Sequence, residues 1–189
     1  MIDGLTMYMT VFYALVFLVI YSLIAGVFSL VAPSPLDQFK SLVVVITVTL
    51  AVNALCARMV RVSPNHISAI ITSLIIFFLI SPARDLAALH IIAVAAGLAM
   101  VSKYLIVFRK QHIINPAAFG IAALSVTGYY ESTWWIATPA LLIPLLLAGS
   151  VVVYKVRKWV PVASFLAVGF LVFLIEEWQF TGSMSEWSI

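Results

Sequence analysis

Charge is what this sequence has least of: seven acidic and ten basic residues among 189 make 9% charged side chains against 65% hydrophobic ones. A water-soluble domain typically carries about a quarter of its residues as charged side chains, so a soluble globular protein is excluded. The net charge of +3 is too small to suggest nucleic-acid binding. Cysteine is nearly absent. Cys56 stands alone, which excludes an intrachain disulfide and any CxxC site, and its apolar helical setting reads as an inert buried thiol. The three histidines, His66, His90 and His112, are too dispersed for a metal centre and have no cysteine or carboxylate beside them. Missing as well are a Ser/His/Asp arrangement, paired catalytic carboxylates and a glycine-rich phosphate loop. Chemistry by side chains alone is therefore not expected, and any catalysis must come from a bound cofactor.

Long apolar runs are what the chain has in place of these. A helix crossing a hydrocarbon core of about 30 Å needs about 20 apolar residues. Residues 7–31, 41–57, 86–107, 134–154 and 160–175 approach or exceed that requirement, the second and last being somewhat short. Two further runs, 68–80 and 117–126, are shorter; 13 helical residues cover only about 20 Å. The expected fold class is an all-α integral membrane protein of about seven transmembrane segments, two of them short or broken. Residues 1–6 carry Asp3 and no Lys or Arg, and the run that follows exceeds a signal-peptide core, so the first segment reads as a retained helix.

Charge placement orients the segments. Arg58 and Arg61, then Lys103, Arg109 and Lys110, then Lys155, Arg157 and Lys158 fall in alternate connections, placing eight of ten basic residues on one side. The positive-inside rule makes these connections cytoplasmic, with the N-terminus inside and the C-terminus outside an inner or cell membrane. The agreement holds only if both short segments cross. Each is then expected to be completed by extended chain shielded by neighbouring helices, residues 111–116 being one such stretch.

The stretch from Lys103 to Gly120, KYLIVFRKQHIINPAAFG, concentrates the polar features of the chain. Proline and an unpaired asparagine are costly in hydrocarbon and survive where protein covers them or where they line a site. Asn115 can cap a helix that begins at Pro116, and a helix start inside the bilayer offers N–H groups to an ion or an anionic ligand. The alternative is a cap that merely ends a loop. Lys103 lies inside a helix end, where it either serves a site or snorkels to the surface. Asn53, Thr72 and Ser73 can serve as hydrogen-bond glue between helices or as ion ligands, and Ala93, Ala95, Gly97 and Ala99 as a close-packing face.

Lys103, Arg109, Ile114, Asn115, Pro116 and Ala117 resemble the signature of the NqrB/RnfD family, whose members are membrane components of sodium-pumping NADH:quinone oxidoreductases and of Rnf electron-transport complexes. The run SAIITSLIIFFLISP from Ser68 to Pro82 is similar to that family's short helix, and the likeness extends over about residues 41–172. The resemblance implies two five-helix halves of inverted topology, with residues 1–130 forming the first repeat and 131–189 an incomplete second within one membrane domain. It implies a flavin, FMN or riboflavin, near the helix breaks, with Asn115, Pro116 and Ala117 shaping the break and Lys103, Arg109 and His112 beside the cofactor or a partner.

Two departures modify the expectation. Flavinylated members carry Ser-Gly-Ala-Thr, absent here; Thr127 and Thr133 are the hydroxyls nearest in position, and the stretch reads as an external turn entering an interfacial Trp134–Trp135 belt. Any flavin is thus expected to be non-covalent. Most of the second half is also missing, which suggests a homodimer, other subunits of an electron-transport complex, or a flavin and nicotinamide reductase as partners. The implied function is flavin-linked electron transfer, with coupling to Na+ or H+ movement. The alternatives are a redox-inactive channel or carrier for a small solute and a membrane anchor for a soluble reductase.

Overall fold

The computed structural model describes residues 6–108, 111–128 and 133–185, with side chains at all of these except 108, 111–112 and 178–185. The protein is an all-α membrane protein. Among the described residues there are seven helices: α1 (Met7–Val27), α2 (Pro35–Val60), α3 (His66–Leu79), α4 (Leu86–Leu105), α5 (Pro116–Val126), α6 (Pro139–Val156) and α7 (Trp159–Ser185). Five are long and apolar enough to cross a membrane, and α3 and α5 are the short ones. A two-residue antiparallel pair, β1 (Val107–Phe108) with β2 (Gln111–His112), turns the chain between α4 and α5.

Helix ends follow local chemistry more closely than hydropathy. The second span, expected to be short, is a 26-residue helix. Ser34 caps it by accepting from the Asp37 N–H, Pro35 opens it, and Asp37 lies in the first turn, where a negative charge suits the helix dipole. The polar turn Asp37–Lys40, joined by a 3.0 Å ion pair, hides this start from a count of apolar residues. The last span likewise extends over Trp159–Ser185, and the sixth begins at Pro139, five residues after the expected Trp134.

The short helix α3 forms the hub, packed against α1, α2, α4 and α5. It is completed by extended chain, and residues 80–83 run through the interior with Ile80, Pro82 and Ala83 buried. The polar groups of this irregular stretch and of the helix end find partners, as hydrocarbon requires. Ser41 on α2 accepts from the Ala83 N–H at 2.8 Å. The Trp135 indole donates to the Phe77 carbonyl at 2.7 Å, and the Thr133 N–H donates to the Leu79 carbonyl at 3.2 Å. Trp135 is therefore buried, edge-on to Phe77, and of the pair only Trp134 is exposed. This corrects the expected two-tryptophan belt.

Of the residues 111–116 expected to be shielded, Ile113, Ile114 and Asn115 are exposed among the described residues, Pro116 is half-buried, and the side chains of 111–112 lie outside the described ones. The segment follows directly on β2. The small-residue face on α4 is also narrower than its spacing suggested. Ala95 and Ala99 are fully buried against Gly120 of α5, whereas a Cβ on Gly97 would meet nothing. At the α1–α2 turn the buried Gln38 accepts from the Ser22 hydroxyl and donates to the Pro33 carbonyl, satisfying both ends of its amide.

Candidate functional site: a groove along the short helix α5

An 11-residue helix presents about 16 Å of surface, and its two sides have different fates. Ala117, Gly120, Ile121 and Leu124 are buried, with Gly120 seated directly on α4. The opposite side stays open because no helix among the described residues covers it. Asn115, Ala118, Ala122 and Ser125 on that side form one wall of a groove of about 700 Å³. Leu15 and Leu18 of α1, Phe78 and Leu79 of α3, the turn bearing Trp134 and Ile136, and Leu145 of α6 complete it.

The groove is apolar with two polar points. Asn115 stands at the start of α5, where its Oδ1 accepts from the Ala117 N–H at 3.0 Å. Ser125 stands ten residues on, about 15 Å along the helix. Volume and composition suit a flat, largely apolar ligand with a few hydrogen-bonding atoms, within the range of 300–1,000 Å³ usual for small-molecule pockets. The tricyclic ring of a flavin is such a ligand, so the residues present fit that group.

The sequence-expected residues divide among several places. Asn115 lines the groove and Pro116 forms the first residue of α5 beside it. Ala117 faces away, fully buried. Lys103 is not on the groove; it is buried in the last turn of α4. Arg109 lies outside the described residues, and of His112 only the backbone is described, paired with Val107. Thr127 caps the end of α5 with its hydroxyl donating to the Leu124 carbonyl, and Thr133 is exposed in the turn tied to α3. The structure brings neither threonine to the groove wall.

Of the groove residues only Asn115 was named from the sequence; the others, among them Ser125, Phe78 and Trp134 as a groove residue, were missed. The spacing 115, 118, 122, 125 is one helical face and could have flagged Ser125 beside Asn115. Trp134 and Phe78 come from other segments, and only the tertiary fold brings them there. No family model matches this chain, and no curated protein and no solved structure matches it either.

Proposed function

We propose that this chain is the membrane module of an Rnf/Nqr-type electron-transport system and that it holds a flavin, FMN or riboflavin, non-covalently in the α1–α3–α5 groove. The observation that carries the reading is the groove itself: an apolar cleft of about 700 Å³ opening beside the Asn115–Pro116 helix start that bears the family resemblance. A bound flavin supplies one- and two-electron transfer, chemistry that no side chain here provides. The chain's own residues bind and orient it. Asn115 uses its oxygen to cap α5, which leaves its amide N–H groups to donate to a ring carbonyl. Ser125 offers a hydroxyl at the other end, and Leu15, Leu18, Phe78 and Trp134 keep water from the ring.

In this reading the basic connections face the cytoplasm, where a nicotinamide- or ferredoxin-dependent partner delivers electrons, and transfer is coupled to Na+ or H+ movement. A second copy or another protein of the complex covers the open side of α5. The full chain, purified in detergent from a flavin-replete host, is expected to be yellow and to release flavin into the supernatant on acid precipitation. Asn115→Ala should weaken flavin retention about tenfold, the effect of one lost hydrogen bond of about 1.4 kcal/mol. A colourless wild-type protein would overturn the proposal, and flavin remaining in the pellet would contradict non-covalent attachment.

A further inference from the structure

Away from the α5 groove, the turn between α6 and α7 gathers the densest positive charge among the described residues. Arg157 and Lys158 alone separate the two helices, and Lys155 in the last turn of α6 makes a third cation. Both helices are long and apolar enough to cross a membrane, so their connection falls at a membrane surface. Lys155 and Arg157 line a cavity of about 400 Å³ together with Tyr154 and Trp159. Both aromatic residues are more than half exposed, and Tyr and Trp are the side chains that settle at the headgroup level of a bilayer.

Nothing nearby offsets this charge. Among the described residues α1 and α6 contain no Asp or Glu, and Glu176 of α7 lies about 26 Å along that helix from Trp159. The helix ends cancel one another, since the C-terminal carbonyls of α6 and the N-terminal N–H groups of α7 meet at the turn with opposite partial charges.

A second cavity lies one helical turn deeper. Tyr13 and Phe17 of α1 and Leu147, Ala148 and Val151 of α6 line an apolar groove of about 350 Å³. At about 100° per residue, Leu147, Ala148, Val151, Tyr154 and Lys155 fall within an arc of about 120° on α6. The apolar groove and the cationic cavity are therefore stacked along one face of the helix, and Val151 is within one turn of both Tyr154 and Lys155. An occupant of both is anionic at one end and hydrocarbon at the other.

We infer that this face of α6 binds an anionic glycerophospholipid, with the lipid phosphate in the Lys155–Arg157 cavity and part of one acyl chain in the α1–α6 groove. The Arg157 guanidinium offers paired N–H donors to the phosphate oxygens and Lys155 a compact charge. The Tyr154 and Trp159 rings hold the headgroup level, and the α1–α6 groove takes apolar surface that the bundle itself leaves uncovered. This site is independent of what the α5 groove holds.

The test is the thermal unfolding midpoint of the detergent-purified full chain with added phosphatidylglycerol, phosphatidylcholine of the same acyl chains, or inorganic phosphate. Wild type is expected to unfold about 2–4 °C higher in phosphatidylglycerol than in phosphatidylcholine, as binding to the folded state requires. Inorganic phosphate, which lacks the acyl chain, should not reproduce the shift. Arg157 has a left-handed φ of 53°, so Arg157→Gly removes the guanidinium while suiting the backbone; it should fold and lose most of the difference. Arg61→Gly is the matched control: Arg61 ends α2 with φ 58° and stands outside both cavities, so this variant should keep the difference. Leu147→Trp fills the groove from an exposed position, leaves the cations in place, and should also reduce the difference. Equal wild-type midpoints in the two lipids, a shift reproduced by inorganic phosphate, equal losses in Arg157→Gly and Arg61→Gly, or a full response in Leu147→Trp would overturn the inference.

Discussion

Gly120 shows how one residue sets a helix–helix distance. A Cβ placed there would lie 2.5 Å from the Ala95 carbonyl oxygen, a backbone atom that can yield only if α4 and α5 separate. Gly120→Ala is therefore expected to destabilise the protein by about 1–3 kcal/mol, the usual cost of overpacking, measurable as a lower unfolding midpoint in detergent. Gly97→Ala, where the added methyl meets nothing, should be neutral or slightly stabilising in the same assay because it removes a glycine from a helix interior. The two glycines look alike in the sequence. Their difference lies in a neighbour contributed by another helix, which spacing along α4 does not encode. Asn115 was legible for the opposite reason: an Asn-Pro pair before an apolar run has a local meaning, a cap and a first helical residue, and it takes both roles.

At the scale of elements, all seven segments were legible because each is a run of apolar residues bounded by polar or proline-containing turns. Their ends were less so where a capped polar turn extends the helix, as at Ser34–Lys40. The means by which α3 ends inside the protein was not legible. It depends on Trp135 reaching the Phe77 carbonyl across 58 positions of sequence, and an indole in a Trp-Trp pair reads by default as an interfacial anchor. Trp135→Phe keeps the ring packing against Phe77 and Phe78 but leaves the Phe77 carbonyl without its donor. The expected loss is about 1–3 kcal/mol, and amide hydrogen exchange should report faster opening at the C-terminal end of α3 than elsewhere. Uniform protection across the variant would show that the indole bond does not hold this helix end.

Among the described residues several polar side chains are buried together with the apolar core, while much of the outer surface is apolar, as expected of helices that face lipid. Gln38, Ser41, Thr49 and Asn53 lie on the buried face of α2, while no residue of α7 from Trp159 to Glu177 is buried. The open side of α5 is the exception to this economy, since it combines an apolar wall with Asn115 and Ser125 and is bounded by three other helices. That combination was only half visible in the sequence: the wall from α5 follows from helical spacing, but the walls from α1, α3, α6 and the Trp134 turn require the fold. The groove is where the proposed flavin is tested most directly. Ala122→Trp places a large side chain in the cleft from an exposed position of α5, where it displaces no buried neighbour. The decisive measurement is the flavin-to-protein ratio of this variant and of wild type, both purified as full chains in detergent and matched for unfolding midpoint. Near-stoichiometric flavin in wild type with at least a tenfold loss in Ala122→Trp is the predicted result, and equal flavin content in the two proteins would contradict the assignment of the groove.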